Sequence, residues 1–338
     1  MQKFAVPIFV GLLFGFFVVT AATGAMNLYW QSVFMFMGIN IILAVSLNII
    51  NGYMGEFACG HAGFMAVGAY VSSLLSVMLF AKDKVFGEAL LNPDLALVLF
   101  PVVLLVGALV AAVTGLIVAI PSFKTRGDYL AIITIAANYI VKSTIENIDA
   151  IGGARGFMGM SRVTKAMEKT VDLPWMTIWV FIGTIFTIWI VWRFISSTYG
   201  KGIIAICQDE IAAEIMSVNT NKMKIVAFML SSGLAGLAGG LFAHVLGYVN
   251  PGSFTILKST EVMVMVYLGG MGSLSGSVMS AILFTLLLEA LRPLQIIKWV
   301  VIPLMLVLLM HMRPEGIMGN RELTDVFPRL KKFVSFKK

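Results

Sequence analysis

The chain has 338 residues, 59% of them hydrophobic and 12% charged, with a mean hydropathy of +0.95 and a formal net charge of +7. Soluble domains carry about 25% charged residues, so half the usual charge is missing, and apolar runs long enough to cross a bilayer recur along the whole length. This composition excludes a soluble globular domain, and the continuous, non-alternating runs exclude a membrane β-barrel. The fold class is all-α integral membrane protein. The basic residues lie between apolar runs and in the tail, which suits a protein oriented in a lipid bilayer by its positive charge better than one bound to nucleic acid. Cys59 and Cys207 fall in different kinds of segment and predict neither a disulfide nor a metal site.

In chain order, the hydropathy predicts spans at 4–24, 30–50, 57–80, 95–120, 129–147, 175–196, 225–249 and 296–312. The run Phe4–Ala22 is too long for the core of a signal peptide and reads as an uncleaved first span. With the N-terminus inside, Lys3, Lys124, Arg126, Arg193, Lys201, Lys222, Lys224 and the basic tail share the cytoplasmic side. Lys82, Lys84, Lys142, Arg155, Arg162, Lys165, Lys169 and Lys258 then lie outside, an asymmetry that favours cytoplasmic termini. This topology requires residues 258–292 to return to the side on which they start. YLGGMGSLSGS at 267–277, containing Gly269, Gly270 and Gly272, is where they can fold back as two half-helices. The count is about eight spans plus a re-entrant pair, eight to ten by different reckonings.

The hydrophilic stretch 200–224 is the most informative. Asp209 and Glu210 can open a helix, because acids there meet the positive end of the macrodipole. Ile211 with Ile215, and Ala212 with Met216, are i,i+4 pairs that make one apolar stripe. Asn219 is expected to stop the helix in the left-handed conformation. So short a helix is marginal alone, and its stripe calls for a partner groove or a bilayer surface; the acids beside it disfavour an anionic leaflet.

This loop resembles the coupling segment of ABC-transporter permeases, and in particular the branched-chain amino acid permease family of the LivM type. The resemblance extends through SLNIINGYMGEFACGHAGFMAVGAY at 46–70, RGDYLAIITIAANYIV at 126–141, IGGARGFMGM at 151–160, 209–243, YLGGMGSLSGSV at 267–278 and RPEGIMG at 313–319. It implies the permease of a type II-like ABC importer: one polytopic domain over 1–312, a cytoplasmic coupling loop at 199–224 and a basic cytoplasmic tail at 313–338. It further implies a bacterial inner-membrane location, import of leucine, isoleucine or valine, a second permease of the LivH type, two ATP-binding cassette subunits and a periplasmic or extracellular amino-acid-binding protein. Asp209, Glu210, Ala212, Ala213 and Glu214 would form the ATPase-coupling surface. Ser217 stands where the family has glycine, which would move the turn toward Asn219. The same architecture importing urea or short-chain amides is the alternative substrate reading.

The chain has no G-x-x-x-x-G-K-[ST] phosphate loop; TYGKG at 198–202 lacks the leading glycine and the following Ser/Thr. It is therefore expected to be no enzyme and to bind no cofactor, with ATP and Mg used by partner subunits. No hydrolase or zinc motif occurs. An ion-coupled carrier would place acids along a mid-membrane pathway, and the few intramembrane ionisable groups sit near span ends. In SSGLAGLAGGLFA at 231–243, two rows of small residues can pack within the subunit or against another permease. Asp128 is expected to cap the fifth span, and the charges of 148–174 to be solvated or to dock the binding protein.

NGYMGEFACGHAGFMAVGAY at 51–70 gathers Glu56, Cys59 and His61 among glycines. Three such groups are too few and too close for a closed metal site. Gly52, Gly55, Gly60 and Gly63 predict a broken or tightly packed helix start near the translocation pathway. Glu56 and His61 either line that pathway or pin the break by internal hydrogen bonds.

Overall fold

A computed structural model describes Thr20, residues 26–81, 87–123, 129–170 and 173–297, and isolated positions from 300 to 319. The expected first span at 4–24, most of 296–312, Arg126 with its neighbour Asp128, and nearly all of the tail lie outside the described residues.

Helix α1 (Leu28–Asn48) begins behind the cap of Asn27 and loosens into a π turn, Ile49–Tyr53. A stretch without regular structure leads to α2 (His61–Phe80). A single 3-10 turn at Pro93–Leu95 opens α3 (Ala96–Ser122), and α4 (Tyr129–Glu146) follows. A two-residue strand, β1 (Phe157–Met158), precedes the amphipathic α5 (Met160–Thr170). Then come α6 (Trp175–Ile195), α7 (Thr198–Gln208), α8 (Glu210–Ile215) and α9 (Thr220–Leu246). Strand β2 (Tyr248–Val249) pairs antiparallel with β1, and α10 (Ile256–Gly269) and α11 (Leu274–Ala290) form a hairpin. Among the described residues, five helical stretches are long and apolar enough to cross a membrane: Leu28–Tyr53, His61–Phe80, Pro93–Ser122, Trp175–Ile195 and Thr220–Leu246.

Helix α9 is the axis on which the others assemble, because its small residues let neighbouring backbones approach. A Cβ on Gly236 would strike Ala111 of α3; one on Gly68 of α2 would strike the Gly236 backbone; one on Gly239 would strike the Met65 carbonyl. Gly240 lies against Ser72 and Leu104, and Ser232 against Gly115. Both small-residue rows therefore serve packing inside this chain, where close van der Waals contact replaces the missing hydrophobic drive between helices. Gly183 of α6 sits on Leu241 and Leu237, completing the ring. The outward faces of α3 and α6 stay apolar and exposed, at Val98, Leu109, Ile117 and Trp189 among others, as a lipid-facing surface requires.

The far end of α9 carries a ledge. Tyr248 donates from its hydroxyl to the Arg155 carbonyl (2.6 Å), Tyr70 to the Val249 carbonyl (3.4 Å), and α5 buries Met160, Val163 and Met167. The stretch 148–174 is thus not simply a solvated loop: glycines at 152, 153 and 156 with positive φ fold it back onto the bundle, while Arg155, Lys165, Glu168 and Lys169 stay outside.

The expected return of 258–292 is realised. Helix α10 descends from the ledge end, the chain turns at Gly270–Ser273, and α11 climbs back beside α1, where Asn40 donates to Thr285 (3.0 Å). The arms have 14 and 17 residues, the shorter one spanning about 21 Å at 1.5 Å per residue, less than the ~30 Å hydrocarbon core. The turn is held by α1: Asn48 donates to the Ser273 carbonyl (3.0 Å) and accepts from the Gly272 amide (3.1 Å). Gly52 leaves room for this, since a Cβ there would overlap both Asn48 Oδ1 and the Gly272 amide. Residues near the C-terminus return to the same place, the amides of Ile317 and Met318 donating to the carbonyls of Leu268 and Gly269 at 2.9 and 3.1 Å. Gly52→Ala is expected to destabilise the fold by about 1–3 kcal/mol through overpacking, read as a lower thermal midpoint in detergent, whereas Ala44→Gly on the same helix should lose only about 1 kcal/mol.

Candidate functional site

The helix expected after Asp209 forms and is short, Glu210–Ile215. Asp209, with extended φ of −160°, caps α8 by accepting from the amides of Ile211 (2.9 Å) and Ala212 (3.0 Å). The loop holds a second helix that sequence reasoning missed: α7 runs up to Asp209 and packs through Gly202 on Met223 of α9. On α8, Ala213 turns inward, while Ile211, Ile215 and Met216 are 68%, 77% and 78% exposed. Two large apolar side chains on the six-residue helix and a third on its C-cap, Met216, stand exposed among the described residues.

The end of α8 differs from expectation. Asn219 does not enter the left-handed region; at φ −77° it caps α9 instead, accepting from the Lys222 amide (3.0 Å). Ser217 takes φ +63°, the one non-glycine residue with positive φ among the described residues. The amides of Ser217 and Val218 donate to the carbonyls of Glu214 (2.9 Å) and Ala213 (3.1 Å), the paired bonds of a Schellman end. The closure is worth keeping even at the left-handed cost a Cβ imposes, and a shift to Asn219 would sacrifice the next helix's cap. Glu214, rather than projecting freely, accepts from the Thr220 hydroxyl (3.0 Å) and ties the turn to α9.

The residue that organises this end was counted in the sequence only as a loop cation. Lys224, in the second turn of α9, is 7% exposed and donates to Glu56 (2.7 Å) and Glu210 (2.8 Å), with the Phe123 ring 5.9 Å away. A buried ammonium needs such company, and two carboxylates from different segments supply it. Glu56 therefore does not sit beside His61; it clamps the stretch after α1 onto the coupling helix. At Gly55, φ +73° and the nearby Cys207 thiol leave no room for a side chain. Burial and then the Glu56 carboxylate push the Cys207 thiol up from its ordinary value.

From Glu56 the chain climbs back into the bundle without regular structure, and side chains from the π turn, α4 and α10 satisfy it. Asn51 accepts from the Ala58 amide (3.2 Å), Thr134 of α4 from the Cys59 amide (3.2 Å), and Ser259 of α10 from the Ala62 amide (3.0 Å). Gly60 and Gly63 pack directly on the α4 backbone at Thr134 and Asn138. His61, fully buried, meets the Ser46 hydroxyl (2.8 Å), and Ser231 donates to the Ser46 carbonyl (2.6 Å). Of the two readings for His61, the pinned break is the one the geometry matches. Asn51 holds the stretch 54–60 and Asn48 the turn 270–273, so both helix breaks hang on the end of α1 and the π turn after it. Lys224 with Glu56 and Glu210, Asn51 with Ala58, and Asn48 with the hairpin turn are three polar attachments spaced along the bundle from the α8 surface to the turn. No cluster suited to a metal occurs among the described residues.

Two outcomes check this geometry. Ser217→Gly is expected to raise stability by about 1 kcal/mol by relieving the left-handed strain, measured by thermal unfolding. Glu56→Gln removes an anion beside Cys207, lowers that thiol's pKa and so speeds its alkylation by iodoacetamide at fixed pH; an unchanged rate would contradict the contact.

The chain matches the protein family described as branched-chain amino acid transport system / permease component over residues 29–311. It is 30% identical over 304 residues to the high-affinity branched-chain amino acid transport system permease protein LivM of Salmonella typhimurium, covering 83% of this chain and 68% of that one. The probable LivM of Methanocaldococcus jannaschii is 22% identical (75% and 79% covered), and the LivH permease of Escherichia coli is 22% identical (84% and 92%). No solved structure matches.

Proposed function

The chain belongs to the branched-chain amino acid transport system permease family, and from that premise we propose that it is a membrane-spanning subunit of an ATP-driven importer of leucine, isoleucine and valine. The observation that carries the ATP-driven part is α8: an outward apolar stripe of Ile211, Ile215 and Met216, capped at both ends and ion-paired into the bundle through Glu210 and Lys224. Such a knob suits a groove on a cytoplasmic ATPase subunit, where burial of the stripe would offset its exposure. The relatives' names, covering both LivM and LivH permeases of one kind of system, support the substrate class and a second, homologous permease. Two ATPases, using ATP and Mg, and an external amino-acid-binding protein complete the assembly, in a bacterial inner membrane with both termini cytoplasmic.

In this reading the ATPases close and carry α8 with them. Because Glu210 and Glu56 share one ammonium, displacement of α8 pulls on the stretch 54–60, and through Asn51 and Asn48 on the α10–α11 turn. The pathway changes sides by re-docking two broken segments and leaves the long helices intact.

The test is reconstitution with the two ATPases, the second permease and the binding protein. Replacing Ile211 and Ile215 together by Asp is expected to abolish co-purification of the ATPases and to cut leucine uptake at least about tenfold, the effect of roughly 1.4 kcal/mol, with insertion intact. Glu214→Lys should impair uptake and ATPase stimulation together. Lys224→Met should spare ATPase binding but uncouple it, so that hydrolysis persists while uptake falls severalfold. Wild-type uptake in the double Asp variant would sink the coupling assignment.

A further inference from the structure

At the end of the bundle away from α8, helices α1, α9, α10 and α11 line a half-open cavity of about 250 Å³. Drug-sized ligands occupy sites above roughly 300 Å³, so this one suits a molecule of single amino-acid size. Its lining is chemically divided. Lys258 stands on one wall and Glu289 on another, Asn40 and Thr285 lie between, and the remainder is apolar: Val33, Phe36, Phe242 and Leu288.

The charges are placed against the preferences of their own helices. Lys258 occupies the first turn of α10 and Glu289 the last turn of α11, whereas cations are favoured at helix C-termini and anions at N-termini. Each is steadied locally, Lys258 by Glu261 (3.0 Å) and Glu289 by Arg292 (3.2 Å), and the two do not pair with each other. Opposite charges thus face one cavity, each reinforced there by the partial charge of its helix end. Asn40, 6% exposed, spends its amide on Thr285 (3.0 Å). Ionisable groups inside a membrane bundle are costly and typically mark a solute's route, and discontinuous helices are where transporters place such sites.

We infer that this cavity is a binding site for the zwitterion of a small aliphatic α-amino acid. Lys258 and the α10 N-terminus take the carboxylate; Glu289, the α11 C-terminus and Asn40 Oδ1 take the ammonium; Val33, Phe36, Phe242 and Leu288 receive the side chain. The inference rests on the amino-acid importer reading for its substrate, and it places a specificity site within this subunit, on the hairpin whose turn is tied to Asn48.

The test uses the purified full-length chain in nanodiscs and three radiolabelled probes: L-leucine, 3-methylbutylamine, which lacks the carboxylate, and 4-methylpentanoate, which lacks the amine. Leucine should bind at least tenfold more tightly than either analogue. Lys258→Gln should weaken leucine and 4-methylpentanoate tenfold or more while sparing the amine. Glu289→Gln should weaken leucine and the amine while sparing the acid, and that crossed pattern cannot arise from misfolding. Equal affinities for leucine and its analogues, parental leucine binding in both variants, or uniform loss of all three probes would overturn the site. Leucine uptake by the unmutated reconstituted complex is scored separately. Uptake with no binding here leaves the importer and removes the site, whereas binding without uptake does the reverse.

Discussion

Backbone amides and carbonyls freed where a helix breaks inside an apolar bundle have no water to turn to, and each one left unmet costs several kcal/mol. The chain breaks twice, at 54–60 and at 270–273, and the last turns of α1 serve both. Asn48 supplies a donor and an acceptor to the hairpin turn, Asn51 binds the stretch after the π turn at Ala58, and the π turn at Ile49–Tyr53 separates the two side chains. A regular α-helix spaces side chains at 100° intervals; the wider turn re-aims them, as π turns often do at functional positions. Thr134, Ser259 and Ser46 then satisfy what α1 cannot reach.

This economy makes the breaks interdependent. The 54–60 stretch is tied to Asn51 and the hairpin turn to Asn48, three residues earlier and four from Gly52. The long helices are locked differently, by glycine and alanine contacts along α9 that tolerate no change of register, since a single Cβ at Gly236 or Gly239 would collide with neighbouring backbone or methyl groups. The Lys224 bridge is the attachment at the surface of α8, and its location in the second turn of α9 anchors it to the long helices.

Small residues carry much of this architecture, yet they do so in separable ways. Gly68 and Gly236 permit helix contact, Gly60 and Gly63 let the start of α2 lie against α4, and Gly55 and Gly270 supply positive φ. Ser217 shows the limit of that separation. A serine tolerates the left-handed conformation at the end of α8 because two hydrogen bonds of the helix end and the Asn219 cap of the next helix depend on the turn being there.

Hydropathy determined the membrane class and located five of the expected spans, because a bilayer imposes length and polarity on every stretch that crosses it. The span expected at 129–147 forms a helix, Tyr129–Glu146, that is not among the described helices long and apolar enough to cross, and the return of 258–292 came from the charge asymmetry and the glycines at its turn. The cap at Asp209 and the apolar stripe of α8 were legible too, being local, and so was the glycine-rich break before His61. What only the tertiary structure decided were the partners: that Glu56 reaches Lys224 rather than His61, that both small-residue rows of α9 are spent inside the chain, that Asn219 caps α9 rather than ending α8, and that Lys258 and Glu289 share a cavity. Those pairings join residues up to 168 positions apart in the case of Glu56 and Lys224. A one-dimensional pattern can show that a polar group in a membrane helix must be satisfied, but the choice among available partners is made by the packing that brings one of them within hydrogen-bonding distance.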